Sequence, residues 1–386
     1  MGAANVAWKY FVNNTNPDTG LVNATHNYPS TTLWDASSFL LGMIAAERLG
    51  ILERNDFDSR LTKALGSLVR MQLFDGQLPN KAYDVRTLAM ALYNNDPTER
   101  GLGWSALDVS RVLVPLEAIN RLYPEHAAEV AAVIGRWDLP ALTRNGELTG
   151  TIVNDAGATV LVQEGRLGYE QYGAKSLLTI GLDAFQSAKT ERYLQFKDVE
   201  GIPVPVDTRM VANSSPAFIT SEPYMLDGLE YGFDTVSHAL ASNVYSAQQK
   251  RFENTGILTA VTEGHMNQKP YFGYSTVWGN GSAWAVTTLT GERIDSLRYV
   301  STKAAFAFDA LFATDYTAQL VASLMDLADP EKGWPEGRYE IDGAINTSTT
   351  ANTNGIVLES LAYKKFGPLN AALLGGSAIS ATVPTK

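Results

Sequence analysis

The sequence predicts an all-α fold, a single (α/α)6 toroid of helical hairpins with short inserted β-strands. Helical periodicity dominates the 386-residue chain, an internal repeat relates two of its helices, and its extended segments are few. About eleven or twelve helices of ordinary length, with their loops, would use up a chain of this size. An all-α solenoid is the alternative, but it would lack the inserted strands and would have a shorter repeat.

The helices are predicted from apolar residues that recur every three or four positions and from Gly, Pro or Asn near the helix ends. In the segment 35–50, for example, Phe39, Leu40 and Met43 fall on one face, and Gly50 is a stop signal. The other predicted helices cover residues 3–12, 57–73, 84–93, 108–123, 125–134, 169–182, 236–249, 301–313, 315–327 and 350–365.

Two segments, 151–163 and 191–207, are predicted to be extended. The second is punctuated by Gly and Pro, and the two segments are predicted to be short strands or a hairpin inserted between helices. The toroid accounts for residues 1–370. The small and polar residues of 371–386 predict a flexible C-terminal tail.

The internal repeat relates the stretch that begins at Asp35 to the stretch that begins at Asp108. Ser, Leu, Ala and Arg-Leu follow each aspartate at the same intervals, and the spacing of the two frames suits two helical hairpins. Toroids place function where the N-termini of the inner helices surround a central hole. The two aspartates are therefore predicted to lie at equivalent helix ends and to point into one cavity. Helix N-capping alone would also explain an acid at each start.

The composition excludes several classes of function. A net charge of −11 without a basic run argues against a nucleic-acid partner, and the absence of cysteine removes thiol catalysis, disulfides and thiolate metal sites. The four histidines are scattered, and the chain has no HExxH, GxSxG or P-loop motif. No metal or cofactor is expected, and no stretch is long and apolar enough to be a transmembrane segment. The start MGAANVAWKYF lacks a signal-peptide pattern, so any leader is expected to be missing from this chain.

Carboxylate acid/base chemistry on a glycosidic bond is the chemistry that remains, and it needs two acids. Glu222 lies in a Pro-containing loop where burial could raise its pKa, and Glu336 lies in a turn fixed by Gly and Pro. The candidate catalytic residues are Asp35, Asp108, Glu170, Glu222 and Glu336.

Aromatic residues stand beside acids and glycines in many loops, as a polysaccharide groove requires, since sugar rings stack on aromatic faces and sugar hydroxyls need polar partners. Lys81 and Arg86 flank one such pair and fit ligand clamps and surface charges equally well. The candidate substrate-binding residues are Trp34, Lys81, Tyr83, Asp84, Trp104, Tyr169, Tyr274, Trp278, Trp334 and Tyr339.

Several blocks carry a family resemblance: WDASSFLLGMIAAERLGIL, SALDVSRVLVPL, GYEQYGAKSLLTIG, FENTGILTAVTEGHMNQKPYFGYSTVW and GWPEGRYEIDGAINTSTTANTNGIVLESLAYK. Together they resemble an uncharacterised bacterial domain family of exported proteins found beside polysaccharide glycosyltransferases. More distantly, their order is similar to that of (α/α)6 endo-β-1,2-glucanases and glucoamylase-like proteins. In those glucanases an acid stands just before the block that SALDVSRVLV matches, and the nearest residues here are Trp104 and Asp108. The resemblance implies that the blocks around Glu170 and Glu336 face the cavity.

The sequence thus predicts a periplasmic or extracellular glycoside hydrolase that acts on a bacterial polysaccharide, such as a β-glucan or an exopolysaccharide. Glu222 or Glu170 would donate the proton, Asp108 or Asp35 would be the base toward water, and Glu336 would position the sugar. The alternative is a non-catalytic glycan-binding or assembly factor that works with a polysaccharide synthase or export complex. An enzyme needs two carboxylates in different environments, whereas a binding protein needs only aromatic and hydrogen-bonding groups.

Overall fold

The structure is a computed structural model that describes residues 2–209 and 217–370, so the predicted tail 371–386 lies outside the described residues. The chain divides into two compact units. Within the described ranges, the first comprises the residues up to Gly165, then Gly173–Lys189 and Thr350–Leu358; the second comprises Arg166–Tyr172, the residues between Thr190 and Thr349, and those from Glu359.

Helices make up most of the regular structure in the described ranges. The α-helices are α1 (Gly2–Asn14), α2 (Leu33–Arg48), α3 (Arg54–Arg70), α4 (Ala106–Leu122), α5 (Ala127–Ile134), α6 (Tyr169–Thr179), α7 (Phe185–Ala188), α8 (Glu222–Leu226), α9 (Thr235–Thr255), α10 (Thr302–Leu311), α11 (Asp315–Ala322) and α12 (Ala351–Phe366). Short 3-10 turns cover Pro124–His126, Leu139–Leu142, Asp295–Leu297 and Met325–Leu327, and a π-helical turn covers Asp227–Tyr231.

The strands are short and form small antiparallel sheets. They are β1 (Ser30–Thr31), β2 (Leu73–Phe74), β3 (Leu78–Pro79), β4 (Tyr83–Asp84), β5 (Thr143–Arg144), β6 (Glu147–Val153), β7 (Thr159–Gln163), β8 (Leu194–Val199), β9 (Ile202–Asp207), β10 (Phe218–Ile219), β11 (Glu263–His265), β12 (Phe272–Ser275), β13 (Trp278–Gly279), β14 (Ser282–Ala283), β15 (Val286–Thr287), β16 (Tyr299–Ser301), β17 (Pro335–Tyr339) and β18 (Ile345–Thr349). The two predicted extended segments are confirmed as the hairpins β6–β7 and β8–β9.

Ten of the eleven predicted helices exist, with ends displaced by a few residues, but the helix predicted at 84–93 is wrong. The Asp84 carboxylate accepts hydrogen bonds from the backbone N–H groups of Arg86 and Thr87, and Leu88 adopts a φ of 61°. An aspartate carboxylate that accepts hydrogen bonds from the backbone N–H groups two and three residues further along the chain stabilises a turn instead of a helix. Conversely, the segment around Glu222, which the sequence suggested was a loop, forms α8 and the π-helical turn after it.

In the first unit, α2 and α3 differ in how many of their faces are buried. Nearly every residue of α2 between Leu33 and Ala46 is buried, whereas α3 buries a single stripe that includes Phe57, Leu61 and Leu65. Polar groups join α2 to α4, since the Ser37 hydroxyl donates to the Arg111 carbonyl oxygen at 2.9 Å.

In the second unit, a three-stranded sheet of β16, β17 and β18 and another of β11, β12 and β15 form much of the framework. Met266, Val286, Tyr299 and Tyr339 form a buried cluster within this unit. Within the described ranges, no helix combines the length and the apolar character needed to cross a bilayer.

Candidate functional site

The two repeat frames begin two helices in the same way. A hydroxyl residue caps each helix, Thr32 for α2 and Ser105 for α4, and the aspartate follows three residues later. Asp35 and Asp108 are therefore not the N-cap residues, although the Asp35 carboxylate takes part in helix capping because it accepts from the Thr32 backbone N–H. Because the cap hydroxyl binds the backbone N–H of the aspartate, each carboxylate lies one turn inside its helix. The Thr32 hydroxyl also donates to Asp35 Oδ2 at 2.7 Å.

Asp108 lies among other acids in the first unit. Burial, with the charges of Glu164 and Asp35, raises the pKa of Asp108 from 3.8 to about 7. Its side chain is only partly exposed, so water does not screen these charges fully. The two repeat aspartates thus occupy equivalent helix positions and lie close enough for their charges to interact. A carboxyl that stays protonated close to neutral pH can donate a proton.

Glu164 is the third acid of this group, and the sequence prediction missed it. It follows β7 directly, and its carboxylate receives a hydrogen bond from the Ser105 hydroxyl at 2.6 Å and another from the Ala106 backbone N–H. The side chain therefore closes the N-terminus of α4 from outside the helix. Burial raises the pKa of Glu164, and the hydrogen bond from Ser105 and the charge of Lys81 oppose that increase.

The backbone leaves room for Glu164 at Gly150. A Cβ atom at that position would lie 2.3 Å from Glu164 Oε2, so only glycine permits the approach. In the sequence, Glu164 is an acid that follows a predicted extended segment and precedes Gly165. The same pattern is common in surface loops, so it did not identify Glu164 as a site residue. Its contact with the start of α4 is a long-range feature that no local pattern encodes.

Lys81 supplies the positive charge of this site. Its charge lowers the pKa of both Asp108 and Glu164, although burial and the other acids outweigh it. The Lys81 backbone N–H donates to the Gly103 carbonyl oxygen at 2.9 Å, which fixes the segment that carries the side chain. We refer to Asp35, Asp108, Glu164 and Lys81 as the first-unit acid site.

Trp34, which precedes Asp35, covers a buried cation. The Arg111 guanidinium carbon lies 4.4 Å from the centre of the Trp34 indole, and Arg111 Nη1 donates to Asn352 Oδ1 at 3.0 Å. Arg111 is fully buried, while Trp34 is partly exposed. The indole beside the acid thus has a structural partner on one face.

Glu222 and Glu336 lie in a different cluster, within the second unit. Lys303, which is 2% exposed, donates a short hydrogen bond to Glu222 Oε2. Burial lowers the pKa of Lys303, and the charges of Glu222, Glu336 and Glu263 outweigh it, so the pKa is raised and the ammonium stays charged. Glu222 is thus the partner of a buried cation, which disfavours the predicted role as proton donor.

Glu336 lies in β17 and not in a turn. The Tyr299 hydroxyl donates to Glu336 Oε2 at 3.3 Å, and Glu336 is 1% exposed. A Cβ atom at Gly264 would lie 2.2 Å from the Tyr299 hydroxyl, so the β11 backbone packs directly on this pair. The residues Glu222, Glu263, Glu336, Lys303 and Tyr299 are called the buried lysine cluster below.

Glu170 lies near the start of α6, as predicted, and forms an ion pair. Arg209 Nη2 donates to Glu170 Oε2 at 2.6 Å and to Asp207 Oδ2 at 2.5 Å. The guanidinium carbon also lies 4.0 Å from the centre of the Tyr193 ring. A carboxylate shared with an arginine in this way suits a structural ion pair better than a proton donor.

The predicted substrate-binding residues differ in their exposure. Tyr83, Asp84, Trp104, Trp334 and Tyr339 are buried, so their side chains support the structure from within. The Trp104 indole N–H, for example, donates to the Thr149 carbonyl oxygen at 3.1 Å. Residues whose side chains are partly exposed are Trp34, Lys81, Tyr169, Tyr274 and Trp278.

One group in the described ranges has the residue types of a metal site. Ligand atoms of Asp58, Glu125 and His126 lie within 4.8 Å of one another. Arg54 donates to both carboxylates, to Asp58 Oδ1 at 2.8 Å and to Glu125 Oε1 in a short contact. A guanidinium therefore already neutralises the acids of this group.

The family is established by comparison with known proteins. The chain belongs to the family described as "Protein of unknown function (DUF3131)", whose family model matches residues 2–367. No curated protein matches the sequence.

Solved structures establish the fold. The endo-β-1,2-glucanase from Chitinophaga pinensis, in complex with sophorotriose and glucose, has a TM-score of 0.69 at 12% identity, over 98% of this chain and 95% of that chain. The β-1,2-glucanase from Parabacteroides distasonis has a TM-score of 0.66 at 9% identity, over 97% and 58%. The glucoamylase from Hormoconis resinae has a TM-score of 0.58 at 11% identity, over 99% and 77%. The predicted (α/α)6 toroid class, with inserted strands, is therefore confirmed.

Proposed function

We propose that the protein is a glycoside hydrolase that cleaves a bacterial polysaccharide, with a β-glucan as the first candidate, and that the first-unit acid site performs the acid/base chemistry. One observation carries the proposal: Asp108 lies partly exposed at the start of α4, where burial and the charges of Glu164 and Asp35 raise its pKa to about 7. The fold that the chain shares with β-1,2-glucanases is the reason for testing a β-glucan first.

Asp108 is the proposed proton donor to the leaving glycosidic oxygen. Departure of an alkoxide from a sugar is unfavourable, so an acid that is protonated at working pH lowers the barrier. Below about pH 7 the Asp108 carboxyl holds its proton. Its pKa is also close to neutral pH, where a general acid transfers its proton most effectively. This assignment replaces Glu222, whose carboxylate already pairs with a buried ammonium.

Asp35 is the proposed base toward the attacking water. It occupies the position in α2 that Asp108 occupies in α4, and the Thr32 hydroxyl and N–H fix its carboxylate. Glu164 acts through Asp108: its charge opposes ionisation of Asp108, and its bonds to Ser105 and Ala106 hold it at the start of α4. We therefore regard Glu164 as a positioning residue.

The proposed reaction is a single displacement in which water replaces the leaving oxygen at the anomeric carbon. Asp35 removes a proton from water, the water oxygen bonds to the anomeric carbon, and the glycosidic bond breaks as Asp108 protonates the leaving oxygen. Proton exchange with solvent returns both carboxyl groups to their starting states. Trp34, partly exposed beside Asp35, is the proposed sugar-stacking group.

The test is a screen for new reducing ends after incubation with β-1,2-, β-1,3- and β-1,4-glucans, an α-glucan and bacterial exopolysaccharides. Wild-type protein and the variants Asp108→Asn and Asp35→Asn are compared, with Glu170→Gln as a control from the ion pair with Arg209. The proposal expects one polymer to be cleaved and both aspartate variants to lose that activity. Binding without cleavage by wild-type protein would favour the alternative of a non-catalytic assembly factor.

The proposal includes the location of the protein. A hydrolase of bacterial polysaccharides would work in the periplasm or outside the cell, which agrees with the sequence resemblance to exported proteins. Fractionation of cells that express the protein from its own gene tests this part, and recovery in the cytoplasm would contradict it. Co-purification with a polysaccharide synthase from the membrane fraction would extend the set of partners.

A further inference from the structure

The second unit has an aromatic row that neither the first-unit acid site nor the fold explains. Phe218 and Tyr274 stack with ring centres 4.4 Å apart, Tyr274 meets Phe272 at 5.4 Å, and Phe272 meets His265 at 5.1 Å. Exposure increases along the row, from 9% for Phe218 to 36% for Phe272.

The strand register places Glu263, His265, Phe272 and Tyr274 on one face of the sheet formed by β11, β12 and β15, whereas Phe218 belongs to the neighbouring strand β10 of another sheet. Glu263 is paired with Tyr274, and His265 with Phe272, so the four side chains alternate with those that point to the other face. The other face packs inward, because a Cβ atom at Gly264 or Gly273 would overlap buried atoms, at 2.2 Å and 2.6 Å respectively. The opposite face, which carries the rings, is buried at Glu263, partly exposed at Tyr274 and exposed at Phe272.

A buried carboxylate lies at the inner end of the row. Glu263 is 5% exposed, and the Thr262 hydroxyl donates to its Oε2 at 2.7 Å. Its charge also acts on Lys303 of the buried lysine cluster. A carboxylate beside stacked rings accepts hydrogen bonds from hydroxyl groups and repels anions, so the chemistry selects a neutral polyol with flat apolar faces.

We propose that this face is a second glycan-binding site, which holds a neutral glucan with its sugar rings against Phe272 and Tyr274 and a hydroxyl directed to Glu263. The proposal deepens the proposed function, on which it rests for the class of ligand. It involves none of the proposed catalytic residues, and its residues all belong to the second unit.

A purely structural explanation is that the rings stabilise the sheet as cross-strand pairs, a contribution of about 0.2–1 kcal/mol per pair. The two explanations differ in what Phe272 does. If it only stabilises the sheet, its loss lowers stability and leaves glycan binding unchanged. If it holds a sugar, its loss weakens binding in a protein that remains folded.

The experiment is calorimetric titration of the full chain with sophorotriose, in an Asp108→Asn background so that the probe is not consumed, and with cellotriose and a trigalacturonate as comparison ligands. The variants are Phe272→Ala, Phe272→Tyr, which keeps the ring, and Glu263→Gln. Phe196→Ala is the matched control, since Phe196 is 50% exposed on the β8–β9 hairpin of the same unit.

Phe272→Ala is expected to weaken binding of a neutral trisaccharide by about tenfold, or to abolish one of two binding steps, as expected for one lost stacking contact. Phe272→Tyr and Phe196→Ala should stay within about twofold of the background protein, and trigalacturonate should bind least. An affinity unchanged by Phe272→Ala would overturn the proposal. So would a concentration-dependent dimer that Phe272→Ala abolishes without an effect on glycan binding, because the face would then join two copies of the chain.

The two proposals can fail separately. If no polymer is cleaved but trisaccharide binding depends on Phe272, the hydrolase is excluded and the second glycan site stands. If cleavage depends on Asp108 but binding is insensitive to Phe272, the hydrolase stands and the second site is excluded. Circular dichroism of each variant ensures that a loss of binding is not a loss of fold.

Discussion

The raised pKa of Asp108 makes a prediction about stability that needs no substrate. A carboxyl group whose pKa is higher in the folded protein than in the unfolded chain is easier to ionise after unfolding. The ionisation of Asp108 therefore has no effect on the free energy of unfolding below the unfolded-state pKa of 3.8. Above that pH it destabilises the folded protein increasingly, until the pH passes the folded-state pKa of about 7. At about 1.4 kcal/mol per pH unit, the gap between those values amounts to about 4 kcal/mol above pH 7.

Asp108→Asn removes this ionisation. The free energy of unfolding of the variant, relative to wild type, should therefore increase between pH 4 and pH 8 by up to about 4 kcal/mol. The titrations of Asp108 and Glu164 are coupled, so the difference is smaller to the extent that Glu164 binds the proton instead of Asp108. A loss of folding stability of this kind is typical of active-site residues, whose chemistry requires an environment that destabilises the folded protein.

Urea denaturation at pH 4, 5, 6, 7 and 8 measures the difference directly. Asp155→Asn is the matched control, because Asp155 is an exposed acid in the turn between β6 and β7 and the substitution is the same. A difference between Asp108→Asn and wild type that does not change with pH would refute the argument that burial and neighbouring acids hold the proton on Asp108.

Three further predictions concern other parts of the molecule. Lys81→Met should raise the pKa of Asp108 and move the alkaline limb of the kcat/KM profile to higher pH, whereas an unmoved limb would exclude Lys81 from the site. Glu222→Gln should cost about 3–5 kcal/mol of stability because it leaves the Lys303 ammonium buried without that partner, and adding Lys303→Met should recover part of the loss in denaturation experiments. Gly264→Ala should cost about 1–3 kcal/mol, since a methyl group there overlaps the buried lysine cluster, and a thermal midpoint equal to that of wild type would contradict the packing.

Much of the helical framework could be predicted because it follows local rules. Apolar periodicity and helix-end signals identified α2, α4 and α12, and the repeat identified the shared position of Asp35 and Asp108. The prediction at 84–93 failed because one aspartate side chain stabilised a turn, a competition that periodicity does not weigh. Most strands of the second unit were missed because they have only two to five residues and owe their pairing to distant segments.

The candidate site was predicted in part. The acids near helix starts were recognised, but sequence reasoning could not assign their environments. Glu222 was expected to be a proton donor and proved to be the partner of Lys303, a residue on a distant helix. Glu164 was overlooked because it matters through its hydrogen bond to the N-terminus of α4. Only the folded chain brings that distant segment to Glu164. Charges brought together from separate segments determine acidity, and no local pattern records them.

The most direct test of the central claim compares two substrates for the Asp108→Asn variant. One is the polymer that wild-type protein cleaves, and the other is a 4-nitrophenyl glycoside of the sugar released, whose leaving group needs no protonation. If Asp108 is the proton donor, the variant should lose about 10²–10⁴-fold in rate on the polymer and far less on the activated glycoside. Equal losses on both substrates, or full activity on the polymer, would contradict the account.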